Sequence, residues 1–304
     1  MVGAVLVSTD GHILAEGWHR QFGGPHAEVN CFLDAEQRGV LDAQIREATL
    51  FVSLEPCSHY GQTPPCAELI LRKRPKRVVV GMLDPNPLVS GRGVRMLSEA
   101  GIEVVCGVLE SECRKQNKRF LCLMENHRPY VILKWAQTKD SFIDRLEREE
   151  GKPLIISSPF TKQLVHKMRA ENMAILVGAR TVERDRPRLR TTRWAGRDPL
   201  RIALDRHPEG KDYTDWLVYS DNTDWPFVLQ DLATRQIHSV LVEGGATLLN
   251  HILASGLYDE VHVEVSEKEI VAGVPAPKWD FRTGLAKNLL IEKYEESTLY
   301  SFGA

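Results

Sequence analysis

Three short runs, His26-Ala27-Glu28, Pro56-Cys57 and Pro65-Cys66, carry residue types whose spacing suits metal chemistry. A catalytic zinc needs three protein ligands and one position left open for water. His26, Cys57 and Cys66 meet that count with one imidazole and two thiolates. Helix N-termini help keep thiolates ionised, and Pro65-Cys66 reads as the opening of a helix. Zinc lowers the pKa of the water it binds. Glu28, two residues past the His, is placed to reach that water without binding metal, and so to move its proton as the catalytic residue. An isolated H-x-E is often only a helix start. Here Leu54-Glu55-Pro56-Cys57 follows a β-rich run and Cys66 opens a helix, which makes a constellation of it. Cys31, Cys106, Cys113 and Cys122 lack such partners and read as buried thiols acting as small hydrophobes.

A second candidate lies far downstream. Val240-Leu241-Val242-Glu243-Gly244-Gly245-Ala246-Thr247 runs from a strand through two glycines into a helix. Backbone N–H groups at such a helix start can take a cofactor phosphate, because glycine allows close approach. No strand is followed by G-x-G-x-x-G, so a Rossmann dinucleotide domain is not supported.

The elements that must position these residues fall into two series. At 304 residues the chain is about twice a typical domain. In the first half Val2–Val7 and Ile13–Trp18 flank Asp10-Gly11, a two-residue hairpin signal. Helices are expected at 27–38, 67–74 and 94–100, and strands at 49–54, 77–83 and 102–106. One polar helix over 110–125 leads into Asn126-His127-Arg128-Pro129, which places the domain boundary between 1–125 and 126–304. The second half restarts with strands at 130–136, 174–177, 200–204, 240–242 and 260–265, and helices at 160–170 and 246–253. The charged run Arg145 to Glu150 reads as a solvated loop. Strands alternating with helices make both halves α/β.

Composition excludes several classes. Hydrophobic content of 43% and charged content of 26% are globular values, so both halves can build a core. A net charge of −2 gives no electrostatic reason for nucleic acid or an anionic membrane as partner. No apolar run approaches the roughly 20 residues of a membrane span, and Val2–Val7 ends at once in Ser8-Thr9-Asp10-Gly11, so a secretory signal is not read there. The expectation is a cytoplasmic enzyme with a small-molecule substrate; a homo-oligomer is compatible with the sequence, which does not fix the state.

His26-x-Glu28 with Pro56-Cys57 is the zinc-deaminase pattern, except that eight residues, 58–65, separate the cysteines where two are usual. Glu55-Pro56-Cys57-Ser58-His59-Tyr60-Gly61-Gln62-Thr63-Pro64-Pro65-Cys66 and Asp84-Pro85-Asn86-Pro87-Leu88-Val89-Ser90-Gly91-Arg92-Gly93 resemble the deaminase domain of the bifunctional riboflavin-biosynthesis deaminase/reductase. Gly178 to Leu189 is similar to the G-x-x-T-V-x-x-D-x-P-x-L stretch of its reductase, and Pro199–Asp205 to the next strand. The resemblance covers nearly the whole chain. It implies a cytidine-deaminase-like three-layer domain followed by a dihydrofolate-reductase-like domain. It further implies zinc, NADPH, and a diamino-ribosylamino-pyrimidinone 5'-phosphate that is deaminated and then reduced at its ribose to a ribityl chain.

By the same resemblance His59, Gln62, Asp84 and Asn86 line the deaminase pocket, with Gln62 where relatives often carry a phosphate-holding Lys. Ala136, Thr181, Asp185, Gly244 and Gly245 fall to the cofactor, and Arg169, Leu189 and Glu243 to the reductase substrate. Departures are Lys139-Asp140-Ser141 for L-D-G, Ile155 for a Trp, and Arg190-Thr191-Thr192 for T-x-R, which moves the phosphate-binding arginine to Arg190 or Arg193. Met1-Val2-Gly3 matches the family just after an S-P-N-P motif, so the expectation is a chain that begins inside that pattern and lacks its N-terminal helix. Two rival readings are a deaminase for another nucleoside-like substrate, and a reductase whose first domain is mainly structural. The first lacks a C-x-x-C pair and a basic, aromatic-lined groove; the second does not account for intact His26, Glu28, Cys57 and Cys66.

Overall fold

The computed structural model describes residues 2–303 apart from 21–22, 61–63, 87–89, 149–151, 221–223 and 282–288. The chain divides into two compact units, Met1–Asn126 and His127–Ala304. Each has a core of its own.

In the first unit the elements run β1 (Gly3–Val7), β2 (Ile13–Trp18), α1 (Ala27–Gln37), α2 (Asp42–Glu47), β3 (Thr49–Val52), α3 (Cys66–Lys73), β4 (Arg77–Val80), α4 (Arg92–Glu99), β5 (Glu103–Cys106), α5 (Glu110–Gln116) and α6 (Lys118–Asn126). They form a sheet of order β2-β1-β3-β4-β5. β1 is antiparallel to β2 and β3, whereas β3, β4 and β5 run parallel. Alternation in β1 buries Ala4 and Leu6, which meet Leu50 and Val52 of β3, Val78 and Val80 of β4 and Cys31 and Phe32 of α1. Gly17 of β2 lets α1 lie directly on the sheet. A Cβ there would come within 2.2 Å of the Cys31 amide nitrogen and 2.5 Å of the Ala27 carbonyl oxygen.

The second unit runs β6 (Tyr130–Gln137), β7 (Phe142–Asp144), α7 (Pro159–Ala170), β8 (Ala174–Gly178), α8 (Ala179–Asp185), β9 (Leu200–Leu204), β10 (Trp216–Tyr219), α9 (Trp225–Thr234), β11 (Ser239–Val242), α10 (Ala246–Ser255), β12 (Glu260–Ser266), β13 (Val274–Pro275), β14 (Leu290–Lys293) and β15 (Ser297–Gly303). Its large sheet has the order β10-β9-β8-β11-β6-β12-β15-β14. From β10 to β12 neighbours are parallel; β15 and β14 close the edge antiparallel. Parallel strands are covered on both faces and therefore read as continuous apolar runs. Ala174–Val177 and Ser239–Val242 are buried at every position. Leu133, Leu176, Val242 and Val263 pack with Trp225, Leu229 and Leu249 of α9 and α10.

Several expectations need correction. The link between β1 and β2 is not a two-residue turn: Ser8–His12 closes it, with the Ser8 amide on the His12 carbonyl at 2.9 Å and Gly11 at φ +88°. The polar helix of 110–125 is two helices, broken at the buried Asn117. Cys106 is exposed rather than buried, because β5 is an edge strand. The charged run after β7 is not all solvated. Arg148, its side chain 9% exposed, lies between Asp144 at 2.6 Å and Asp185 at 2.5 Å. Among the described residues, no helix is long and apolar enough to cross a membrane.

Candidate metal centre and cofactor cavity

In the first unit the starts of α1 and α3 and the segment after β3 deliver the candidate metal-ligand set. His26 is the N-cap of α1 in extended conformation, and Cys66 is the first residue of α3. His26 Nδ1 lies 3.4 Å from Cys57 Sγ and 3.3 Å from Cys66 Sγ, and all three ligand atoms fall within 4.8 Å of one another. The Cys66 amide donates to Cys57 Sγ at 3.3 Å, so the α3 N-terminus turns a backbone N–H toward this sulfur. A shared hydrogen bond from the Cys66 thiol, joined by His26, lowers the pKa of Cys57; the same bond and burial raise that of Cys66. A soft, partly ionised sulfur pair with one imidazole suits zinc, and three ligands leave the fourth position for water. Among the described residues this is the one cluster of its kind.

Glu28, in the first turn of α1, is 3% exposed. Burial pushes its carboxyl up to about 7, near the range where a proton carrier works best at neutral pH. Asp84 is raised too, by burial first, and it feels the charges of Glu55, His59 and Cys57. Asp84 is thus within electrostatic reach of both His59 and Cys57. Asn86 follows in a tight turn, its amide donating to Asp84 Oδ1 at 2.9 Å. Gln62 lies outside the described residues. Two neighbours were not singled out from sequence. His19 stacks edge-on against His26 with ring centroids 5.5 Å apart, and the buried Glu55 binds backbone amides around Asp84.

The second unit holds a cavity of about 920 Å³, within the size range of small-molecule sites. All five residues expected on the cofactor side line it: Ala136, Thr181, Asp185, Gly244 and Gly245. So do Arg169, Leu189 and Glu243. Gly245 caps α10 and opens that helix onto the cavity. A Cβ on Gly245 would meet only Thr181 Oγ1, at 4.0 Å, so the space beside this backbone is free for a ligand. At Gly244 a Cβ would press on Leu248 at 2.8 Å. Such a cradle at a helix N-terminus fits a cofactor diphosphate.

Arg169 is not a solvated helix residue. It forms a two-pronged pair with Glu243, Nε to Oε1 at 3.0 Å and Nη2 to Oε2 at 2.6 Å, with both side chains 15% exposed. Burial opposes the Glu243 charge, but Arg169 and then Lys134 outweigh it and hold the carboxyl below its usual range. Lys134, on β6, also lines the cavity. Arg190 and Arg193 do not line it; Arg190 presents its carbonyl to Arg169 at 3.3 Å and its side chain is 58% exposed. Arginines that do line the cavity include Arg148, Arg180, Arg184 and Arg206.

Comparison with known proteins follows this division. Residues 1–82 match the family described as the cytidine and deoxycytidylate deaminase zinc-binding region, and residues 129–266 the RibD C-terminal domain. The riboflavin biosynthesis protein RibD of Aquifex aeolicus is 36% identical over 303 residues, which is 90% of this chain and 82% of that protein. The chain belongs to the RibD family. RibD of Escherichia coli is 34% identical over 309 residues, covering 88% of this chain and 81% of its own. Among solved structures, the Thermotoga maritima diaminohydroxyphosphoribosylaminopyrimidine deaminase/5-amino-6-(5-phosphoribosylamino)uracil reductase aligns with a TM-score of 0.86. It is 36% identical, and the alignment covers 99% of this chain and 90% of that one. RibD of Acinetobacter baumannii aligns with a TM-score of 0.85 at 31% identity, over 99% and 91% of the two chains. The fold class is therefore a cytidine-deaminase-like unit followed by a dihydrofolate-reductase-like unit, as in RibD.

Proposed function

We propose that the chain catalyses two consecutive steps of riboflavin biosynthesis. The first unit deaminates a diamino-ribosylamino-pyrimidinone 5'-phosphate, and the second reduces the ribose of the product to a ribityl chain. The observation that carries this reading is that one chain holds both a His/Cys/Cys cluster with a buried Glu28 and a glycine-cradled cavity lined by an Arg–Glu pair.

His26, Cys57 and Cys66 are the residues that would hold zinc. When bound, zinc supplies the Lewis acidity that makes water a nucleophile at neutral pH. Glu28 moves both protons of the water in turn. The first passes through its carboxylate to the ring nitrogen as the water oxygen bonds to the amino-bearing carbon. The second passes from the resulting hydroxyl to the amine, whose C–N bond breaks to release ammonia and leave a carbonyl. Its burial strengthens these contacts and keeps bulk water from competing. His59, Asp84, Asn86 and the position of Gln62 orient the pyrimidine and its phosphate.

In the second unit Gly244 and Gly245 would offer backbone N–H groups to NADPH, and Ala136, Thr181 and Asp185, which line the same cavity, would help hold it. NADPH, when bound, supplies the reducing equivalents. Asp185 is held in place by Arg148. Arg169, Glu243 and Leu189 form the substrate end. Because Glu243 occupies two donors of Arg169, the pair acts as a rigid fork that positions ribose and phosphate oxygens.

The test is a pair of assays on the purified zinc-loaded chain. Ammonia release from the pyrimidine substrate should need no NADPH, and NADPH should be oxidised only once the deaminated product is present. NADPH oxidation without any ammonia release from the zinc-replete protein would instead support a reductase with a mainly structural first unit.

A further inference from the structure

Glu55 is 3% exposed, and among the described residues it has no ion pair; its carboxylate is surrounded by backbone donors. Oε2 accepts from the amides of Asp84 at 3.2 Å and Gly91 at 2.9 Å. Oε1 accepts from the amides of Gly93 at 3.0 Å and Val94 at 3.3 Å. An ionised carboxylate offers two oxygens with about four acceptor sites and no donor, so acceptor and donor counts match. Its own amide donates to the Met82 carbonyl at 2.9 Å, which ties the segment after β3 to the segment after β4. The fit is close: a Cβ on Gly93 would fall 2.1 Å from the Pro56 carbonyl oxygen.

We infer that Glu55 is a positioning residue for deamination, gathering both ends of the Asp84–Val94 connection onto the segment that carries the zinc ligand Cys57. This rests on reading the first unit as a deaminase with Asp84 and Asn86 in its pocket. Glu55, Pro56 and Cys57 are consecutive, so one short rigid piece of chain carries a metal ligand at one end and the loop clamp at the other. The distance from the reacting centre to the pyrimidine-holding turn is thereby set by covalent geometry. A displacement of about 1 Å at such a contact can cost about a hundredfold in rate. Glutamine cannot replace the clamp, because its amide nitrogen would turn donors onto two N–H donors.

The experiment uses the full chain loaded with zinc, with Glu55→Gln and Gly93→Ala as variants. Gly93→Ala presses a methyl group onto the Pro56 carbonyl and crowds Glu55 Oε1, 3.3 Å away, so it disturbs the start of α4 while leaving the chemistry of residue 55 unchanged. Both variants should keep about one zinc per chain while KM for the pyrimidine substrate rises tenfold or more and kcat changes less than KM. Hydrogen exchange should speed up at the Gly91, Gly93 and Val94 amides and stay slow in β3 and β4. A wild-type KM in Glu55→Gln, or unchanged exchange at those amides, overturns the inference. If Glu55→Gln alone loses zinc, Gly93→Ala decides by its KM; loss of zinc in both variants overturns the positioning role. A wild-type chain that releases no ammonia sinks the deaminase reading itself, a result separable from any property of the variants.

Discussion

At the scale of single residues, function rests on side chains placed where water cannot reach them freely. Glu28 lies two residues from a metal ligand, and its burial raises it toward neutrality. Glu28→Gln keeps the shape and leaves His26, Cys57 and Cys66 untouched. The expected outcome is full zinc content, deamination slower by about 10² to 10⁴-fold, and unchanged reduction of the deaminated product. Ammonia release near the wild-type rate would rule out its role as proton carrier. The Arg169–Glu243 and Arg148–Asp185 pairs work differently: each spends charge on holding a neighbour still at the cavity wall. Neither was legible in the sequence, because the partners are 74 residues apart in one case, and in the other Arg148 sits in a charged run while Asp185 closes the distant helix α8. The residue types at the sites were legible, since zinc and phosphate accept so few side chains and backbone shapes.

At the scale of elements, close approach between backbones decides what is tolerated. Gly17 on β2 is the seat of α1, the helix that begins with the metal-binding His26 and carries Glu28. Gly17→Ala would drive a methyl group into the α1 backbone, a form of overpacking that costs about 1–3 kcal/mol or more. Lower thermal stability of the first unit together with weakened zinc retention is expected, read by calorimetry and metal analysis; a variant with normal zinc and melting would show that α1 has other freedom. The start of α10 gives the converse case. A Val at Gly245 meets no wall of the fold at its Cβ, only the open space toward Thr181. Gly245→Val should therefore fold normally, keep deamination and lose NADPH oxidation, and normal reduction by this variant would place the nucleotide elsewhere. Most of the parallel strands and the helices at 160–170 and 246–253 were readable from apolar runs and caps, but α8 after Gly178, α9 at Trp225-Pro226, β10 and β15 were not. Short or weakly patterned elements were not: β7, β13, β14 and α2 have few residues, and their conformation is set by what they pack against. The Ser8–His12 link shows the same limit, since Asp10-Gly11 signals a turn but Ser8 sets its length.

At the scale of the molecule, each unit has its own core: Leu6, Leu50 and Val80 belong to one, and Leu133, Leu176 and Trp225 to the other. Removing zinc takes binding energy from the first alone. With a chelator, two thermal transitions are expected to move apart, the deaminase transition falling while the reductase transition and NADPH oxidation hold. Equal shifts in both would show that the units melt together. The large sheet has a further consequence, for synthesis. β6, at its centre, finds one neighbour in β11 and the other in β12, and the Val131 amide binds Asp259, 128 residues later. A ribosome adding about 5–20 residues per second needs on the order of ten seconds to cover that distance. The first unit draws all its strands from residues 3–106 and can close while translation continues. The second must wait with β6 unpaired, its Val131 and Leu133 open to wrong partners. The nascent second unit, rather than the finished enzyme, is thus the stage at which this chain is most open to mispairing.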